Sequence, residues 1–542
     1  MAAVDLSNPP GELDFALESR FGEEHIVMLP MADGTKLATD YITPKGEGPF
    51  PSILQRTPYG RSLEDGLSTG LLEQGYAIIC QDHRGRFDSE GIGLAFKACG
   101  WGEHQDGYDT VEWIAAQPWS NGKVGTFGAS AGGITQNLMA GAAPPHLTCQ
   151  VVLVASANFY EDTAYPGGAF RKQMVEGWLE GNNFPPETLQ EMLDHPTEDS
   201  YWDFYNVEKR APEITVPSLQ LGGWFDCFES GPIRSFLSRQ IKGGEGARGN
   251  QVLIMGPWTH GGMFSARQGE LEFPSVAVAR VDLMQRLKDF FAFWLKGEQN
   301  GAMENPVTYY EMGACGEPGA PGHMWQTSST WPPPARSQRF FLTPAGGLSK
   351  EAPTAEEAQL SYVSDPSNPV PNHGGHNLIL PAGSFDQREI EARDDVLTFT
   401  TEPLTQPLNL TGQAIARLFV ASTAVDTDFV VKLCDVYPDG RSMLISEGVL
   451  RARYRGSFQS PELLTPGQVY ELEVPLWDTS LVFNTGHRIR LDVQSSDFPR
   501  YDANTQTGIP YGQPAEPVVA TNTVFFNAEQ ASCLDLPVML GE

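Results

Sequence analysis

KVGTFGASAGGIT, residues 123 to 135, decides how the rest of the chain reads. It contains Gly128-Ala129-Ser130-Ala131-Gly132, a G-x-S-x-G pattern that settles little by itself in a chain with 56 glycines. Its setting says more. Lys123 to Gly128 read as a buried strand. The residues after Ser130 read as a helix, with Ile134, Leu138 and Gly141 on one face. A serine on such a strand-to-helix turn is lifted above the sheet, while small neighbours let the backbone pass closely. The helix N-terminus adds a field that favours a developing anion. Ser130 is therefore expected to be a nucleophile rather than a serine in a glycine-rich turn.

Outward from this turn, short apolar runs recur: PSILQR, YAIICQD, CQVVLVA, PSLQLGG and QVLIMGP. They do not alternate, as expected of strands buried on both faces. Helical patterns such as DGYDTVEWIAAQ lie between them, with Tyr108, Val111, Ile114 and Ala115 in one stripe. Strands alternating with helices predict an α/β class and a mostly parallel sheet. Upstream, residues 24–44 read as a hairpin turning at Asp33-Gly34. Between 157 and 211 the alternation stops, and aromatics crowd in without a buried strand, which predicts a small helical layer over the sheet. A long helix at 275–298 closes the α/β part. Beyond Trp331-Pro332-Pro333-Pro334, short strand-like runs follow one another without helices (ARLFVAST, FVVKLCDV, QVYELEVPL). That pattern predicts a β-sandwich or jelly roll.

Bulk properties narrow the function. The net charge is −32, from 36 Lys and Arg against 68 Asp and Glu. Such a surface repels phosphate backbones and anionic lipid, so no nucleic-acid or membrane partner is expected. No apolar run approaches the roughly 18 residues that span a bilayer. The acidic, proline-broken start MAAVDLSNPPGELDF lacks a secretory signal's pattern, which makes a cytoplasmic location the default. Seven scattered cysteines without a C-x-x-C pair argue for reduced thiols and against a zinc site.

A serine hydroxyl needs a base to take its proton and a carboxylate to orient that base. When the nucleophile sits on a strand-to-helix elbow, these partners follow in the order Asp, then His, each just beyond a strand. Asp226 follows the strand in PSLQLGGWFDCFESG, and His260 follows the strand in QVLIMGPWTHGG. Of ten histidines, only His260 has both the chain order and the strand end. The amide of Ala131 supplies one oxyanion donor. No HGG run supplies the second. The loop after PSILQ reads Arg56-Thr57-Pro58-Tyr59-Gly60, where the Tyr59 hydroxyl is a candidate donor and plain packing of that ring is the alternative.

These stretches, with QDHRGRFDSEG, DGYDTVEWIAAQPWSNGKVG, GWFD, GPWTH, DTDFVVKLCDVYPDGRS, EGVLRARYR and SSDFPRYDANTQTG, run in order from about residue 25 to 530. In this the chain resembles the cocaine-esterase-like branch of the X-Pro dipeptidyl-peptidase-type serine hydrolases, which also includes α-amino-acid ester hydrolases. The resemblance implies an α/β-hydrolase domain, a helical cap and a C-terminal jelly roll, which the aromatic-rich stretch and the change of character near 303 place at 1–156 with 212–302, at 157–211 and at 303–542. It implies Ser130 as nucleophile, Asp226 and His260 as its partners, and Ala131 N–H with the Tyr59 hydroxyl as oxyanion donors. Phe228 matches the aromatic that lines the acyl pocket of cocaine-esterase-like members. The acidic residues that hold an ammonium in α-amino-acid ester hydrolases are missing here except for Glu229.

The expected substrate is a small ester or amide, with Phe228, Trp178 and Trp202 lining an apolar acyl site and no metal or organic cofactor required. Self-association is left open. Three rivals stand: an Xaa-Pro dipeptidyl peptidase, an acyltransferase or tailoring enzyme using the same triad, and a non-catalytic binding protein. Other features read blandly. His373-Gly-Gly-His376 is expected to be a solvated loop, Asp82, Arg84, Arg86 and Asp88 a loop-stabilising charge network, and Asp426 and Asp428 turn caps. Cys227 is expected to be a small apolar neighbour of the triad.

Overall fold

The computed structural model describes residues 22–63, 66–278 and 280–540. The N-terminal stretch read above for a signal lies outside the described residues. The hairpin forms as expected. Glu24–Pro30 (β1) pairs antiparallel with Lys36–Ile42 (β2), with Leu29 opposite Leu37, and Asp33 Oδ1 accepts the Thr35 amide across the turn at 3.0 Å.

The apolar runs become Phe50–Thr57 (β3), Ala77–Asp82 (β4), Ser120–Ala129 (β5), Leu147–Leu153 (β6), Ser218–Phe225 (β7) and Gln251–Thr259 (β8). They lie in the order β1-β2-β4-β3-β5-β6-β7-β8. From β4 to β8 every pairing is parallel. All of β4 and β7 is buried, which is what non-alternating apolar strands covered on both faces require. The helix Ala131–Gly141 is buried at every residue rather than along one stripe. It lies on β3, β5 and β6, and its other side is covered by the helix Asp106–Ala115 and cap aromatics.

The α/β sheet does not stop at residue 302. Val307–Glu311 pairs parallel with β8, and Met324–Ser328 pairs antiparallel with it in turn, giving ten strands. The sheet therefore draws two of its strands from beyond the change of composition near 303. These two strands cover what would otherwise be an open edge at β8. The remaining strands, from Ala335–Thr343 to Cys533–Met539, form one eleven-stranded sheet whose pairings are antiparallel apart from a single short one. This is the jelly roll. One apolar core runs without a break from Trp224, Phe225 and Phe236 of the α/β domain into Leu410, Leu433 and Leu491 of the jelly roll. The two domains therefore share their stabilising burial.

The cap is built of short pieces, chiefly Phe159–Ala164, Lys172–Gly181 and Pro186–Asp194. It is tied to the jelly roll by the Phe170 amide, which donates to Asp502 Oδ1 at 2.9 Å. All seven cysteines are buried and none is in a disulfide. No helix among the described residues is long and apolar enough to cross a membrane.

Candidate active site

Ser130 sits at φ 56° and ψ −122°, a left-handed conformation that costs a non-glycine residue about 1–3 kcal/mol. The glycines around it make the turn sterically feasible. A Cβ on Gly128 would lie 2.9 Å from the Gly132 carbonyl, and one on Gly133 would lie 2.6 Å from Ala155 Cβ. The helix that follows returns Gly133 N–H and Ile134 N–H to the Ser130 carbonyl at 2.8 and 2.9 Å. As the first helical residue, Ala131 has an amide with no intrahelical acceptor.

β7 and β8 deliver the other two groups. Asp226 follows the last residue of β7 and His260 the last residue of β8. His260 Nε2 lies 2.9 Å from Ser130 Oγ, and its Nδ1 lies 3.0 Å from Asp226 Oδ2. The fully buried Asp226 also accepts the Phe228 amide through Oδ1 at 2.6 Å. Burial opposes a charge on His260, but the Asp226 carboxylate beside it outweighs burial and raises the imidazole above its ordinary 6.5. Burial pushes the Cys227 thiol up, which keeps it protonated. Arg171, from the cap, fastens this loop by donating to the Cys227 carbonyl at 2.6 Å and to the carbonyl of His376 in the jelly roll.

Ser130 opens onto a cleft enclosing about 420 Å³ of non-atom space, solvent at its mouth included. One face of the helix Lys172–Gly181 supplies Met174, Val175, Trp178 and Leu179 to its wall. Phe96, Ile134, Phe159, Met192 and Phe228 complete most of the rest. The Phe228 ring meets His260 edge-on, with centroids 5.5 Å apart. Leu378 reaches the same wall from the jelly-roll part of the chain. No ionised side chain is among the described lining residues.

Tyr59, 44% exposed, stands at the edge of this site, and its hydroxyl accepts the Trp178 indole N–H at 2.9 Å. Burial of the phenol raises its pKa, while Trp178, His260 and the Ser130 hydroxyl act on it in the opposite sense.

Six of the sequence-derived residues therefore come together with Phe228 at one place: Ser130, Ala131, Asp226, His260, Tyr59 and Trp178. Trp202 does not join them. It is 1% exposed and lies behind Phe159, and its indole N–H is spent on the His195 carbonyl at 2.9 Å. Packed among Tyr160, Tyr165, Tyr201 and Tyr205, it is the cap's own core. Glu229 is also fully buried. Burial raises its pKa well above the ordinary range, and it does not face the cleft.

His376 is not solvated, contrary to expectation. It is wholly buried, bonded through Nδ1 to Glu447 at 2.9 Å and packed on Trp477. Asp428 is no turn cap either. It pairs with Arg451 through both carboxylate oxygens at 2.8 and 2.9 Å, and Asp426 accepts the Arg453 amide. The charge network in the 82–88 loop forms in part: Arg61 bridges Asp40, Asp82 and Asp88 and Arg84 joins Asp33 to Asp106, while Arg86 donates to the Pro58 carbonyl instead. Among the described residues two sets of ligand-type side chains converge. One is Asp226, Cys227 and His260, whose imidazole nitrogens are both engaged. The other is Glu391, Cys434 and Asp492, where Ser442 and Arg490 already hold Glu391.

Sequence reasoning missed Phe96, Met174, Val175, Leu179 and Leu378. The first-turn and second-turn spacing of Met174, Val175, Trp178 and Leu179 is a helical stripe and was a usable signal. Leu378 gave none.

An α/β sheet with a strained serine elbow bonded to a histidine and a buried aspartate defines a serine hydrolase fold. The model of the X-Pro dipeptidyl-peptidase (S15) family matches residues 33–188 and 179–262, and that of the X-Pro dipeptidyl-peptidase C-terminal non-catalytic domain matches 300–535. Cocaine esterase of Rhodococcus sp. (strain MB1 Bresler) is 33% identical, over 95% of this chain and 98% of its own. Two solved structures align at 28% identity. An aminopeptidase from a marine sediment Thaumarchaeota archaeon has a TM-score of 0.83 and covers 96% of this chain and 97% of its own. An α-amino acid ester hydrolase has a TM-score of 0.81 and covers 95% and 96%. The chain belongs to the X-Pro dipeptidyl-peptidase-type serine hydrolase family, in its cocaine-esterase-like branch.

Proposed function

We propose that this enzyme hydrolyses carboxylic esters with a neutral, apolar acyl group through an acyl-enzyme on Ser130. The observation that carries this reading is the continuous Ser130–His260–Asp226 hydrogen-bond chain at the floor of an apolar cleft. His260 Nε2 takes the Ser130 proton as Oγ attacks the ester carbonyl, and then returns it to the leaving alcohol. Asp226 fixes the tautomer that carries its proton on Nδ1 and stabilises the imidazolium. The Ala131 amide and the Tyr59 hydroxyl hold the tetrahedral oxyanion. Water then repeats the attack on the acyl-enzyme.

The acyl preference follows from the wall. An α-amino acyl group brings an ammonium that needs a carboxylate, and Glu229, three residues after Asp226 in sequence, is sealed away from the cleft. The same absence among the lining residues counts against recognition of a free N-terminus by an aminopeptidase or Xaa-Pro dipeptidyl peptidase. Phe228, Trp178, Met174 and Phe159 instead favour an aryl or branched alkyl acyl group.

The test is labelling by a fluorophosphonate probe together with turnover of p-nitrophenyl esters graded in acyl size. Labelling of Ser130 and preference for apolar over α-amino acyl groups are expected. No labelling, or faster turnover of a Gly-Pro anilide than of any ester, would overturn the reading. Product analysis with added alcohols and amines separates hydrolysis from acyl transfer.

A further inference from the structure

We propose that Trp178 is a positioning residue for this reaction: its indole N–H, delivered from the cap, holds the Tyr59 hydroxyl so that the single phenolic proton is presented to the oxyanion. The inference rests on the reading of Tyr59 as an oxyanion donor. An indole nitrogen donates and cannot accept, whereas a phenol oxygen donates once and accepts twice. The 2.9 Å contact between Trp178 Nε1 and Tyr59 Oη therefore has only one polarity, with Trp178 donating. It occupies an acceptor position on the oxygen and leaves the phenolic proton for another partner. Donation into an oxygen also strengthens that oxygen as a donor.

The indole is itself fixed. Trp178 lies between Phe96 and Phe184, its ring centroids 5.5 and 5.0 Å from theirs, with interplanar angles of 14° and 28°. The Arg86 guanidinium lies over the Phe184 ring, 4.5 Å from its centroid, and Arg86 Nε donates to the Pro58 carbonyl at 3.1 Å. The contacts close a circuit from Pro58 and Tyr59 through Trp178, Phe184 and Arg86 back to Pro58. The turn is further ordered by the Tyr59 amide, which donates to Thr57 Oγ1 at 3.1 Å. Tyr59 as a whole residue is 44% exposed, so without this clamp water would compete for its hydroxyl. An oxyanion donor borne by the hydrolase domain is thus set by a cap side chain.

Two substitutions remove the N–H while keeping an aromatic ring: Trp178→Phe, and β-(3-benzothienyl)alanine placed at 178, which keeps the bicyclic shape. With p-nitrophenyl acetate, whose small acyl group makes little use of the wall, each is expected to lower kcat and kcat/KM together by about 10-fold, the scale of one transition-state hydrogen bond. KM should stay within about 2-fold. Added to Tyr59→Phe, the same change should cost less than about 2-fold, because the group it positions is gone. The benzothienyl variant guards against misfolding in Trp178→Phe, and probe titration counts intact sites. An unchanged kcat in the benzothienyl variant while Tyr59→Phe is strongly impaired would overturn the inference and leave the oxyanion reading standing. An equal loss with and without Tyr59 would overturn it in favour of a wall role. No loss in Tyr59→Phe would remove the oxyanion reading, and this inference with it.

Discussion

Two histidine–carboxylate pairs in this molecule are nearly the same in geometry and opposite in surroundings. His260 Nδ1 meets Asp226 at 3.0 Å, and His376 Nδ1 meets Glu447 at 2.9 Å. Beyond the pair they diverge. His260 keeps a partly exposed edge at the cleft and turns Nε2 to Ser130, whereas His376 is sealed and, among the described residues, its Nε2 meets no side-chain partner. Their charge environments differ as well. Burial, Arg500 and Arg171 push the His376 imidazole well below its ordinary pKa, while His260 is raised. A carboxylate on one nitrogen does not make a histidine a base. The other nitrogen must face a nucleophile, and the surroundings must accept the imidazolium. Among the described residues only the pair at the ends of β7 and β8 meets both conditions.

The sharpest break in that comparison is Ser130→Ala, which leaves His260–Asp226 intact but without a nucleophile. A loss on the order of 10⁶-fold in kcat is expected in ester turnover. Asp226→Asn should cost about 10⁴-fold, because the amide favours the wrong imidazole tautomer. Tyr59→Phe should follow at about 10²–10³-fold in kcat, one oxyanion donor having been removed. The acidic limb of kcat/KM needs neutral His260. Since Asp226 holds that imidazole above 6.5, the limb should lie above pH 6.5, and it should move down in Asp226→Asn. A pH–rate profile on each variant measures this.

His376→Gln marks the small end. Activity per labelled site should stay within about 3-fold, while stability to urea should fall by about 1–3 kcal/mol, since a buried partner of Glu447 is lost. Its pH signature has a fixed sign. A native histidine with depressed pKa binds fewer protons than the unfolded chain, so it lowers stability as pH falls below about 6.5. The decline in urea midpoint from pH 7 to 5 should therefore be shallower in His376→Gln. If instead His376→Gln abolished turnover with folding preserved, the division between the two pairs would collapse.

The distinction between the pairs was partly legible beforehand. Asp226 and His260 stand just past buried parallel strands, where chain order and local apolar runs place side chains on one edge of the sheet. His376 sits in a Gly-rich loop whose burial depends on Glu447 and Trp477, both distant in sequence. Composition there suggests solvent, and packing overrides it. The reach of the α/β sheet is set in a related way. Val307–Glu311 follows a composition change, but it pairs with β8 because an open sheet edge leaves its backbone groups unpaired.

By itself, the sequence determined the elbow at Ser130, the order of its partners and the succession of domains, because strand burial, turn chemistry and the helix that follows are local properties. Only the tertiary structure decided which cap tryptophan faces the reaction. Trp178 and Trp202 share composition and a short helical layer, yet one bonds to Tyr59 and the other fills the cap core. That choice is set by how the cap docks. The same holds for Leu378, brought to the cleft from the jelly roll: a side chain's contacts across domains depend on rigid-body packing that no local pattern encodes.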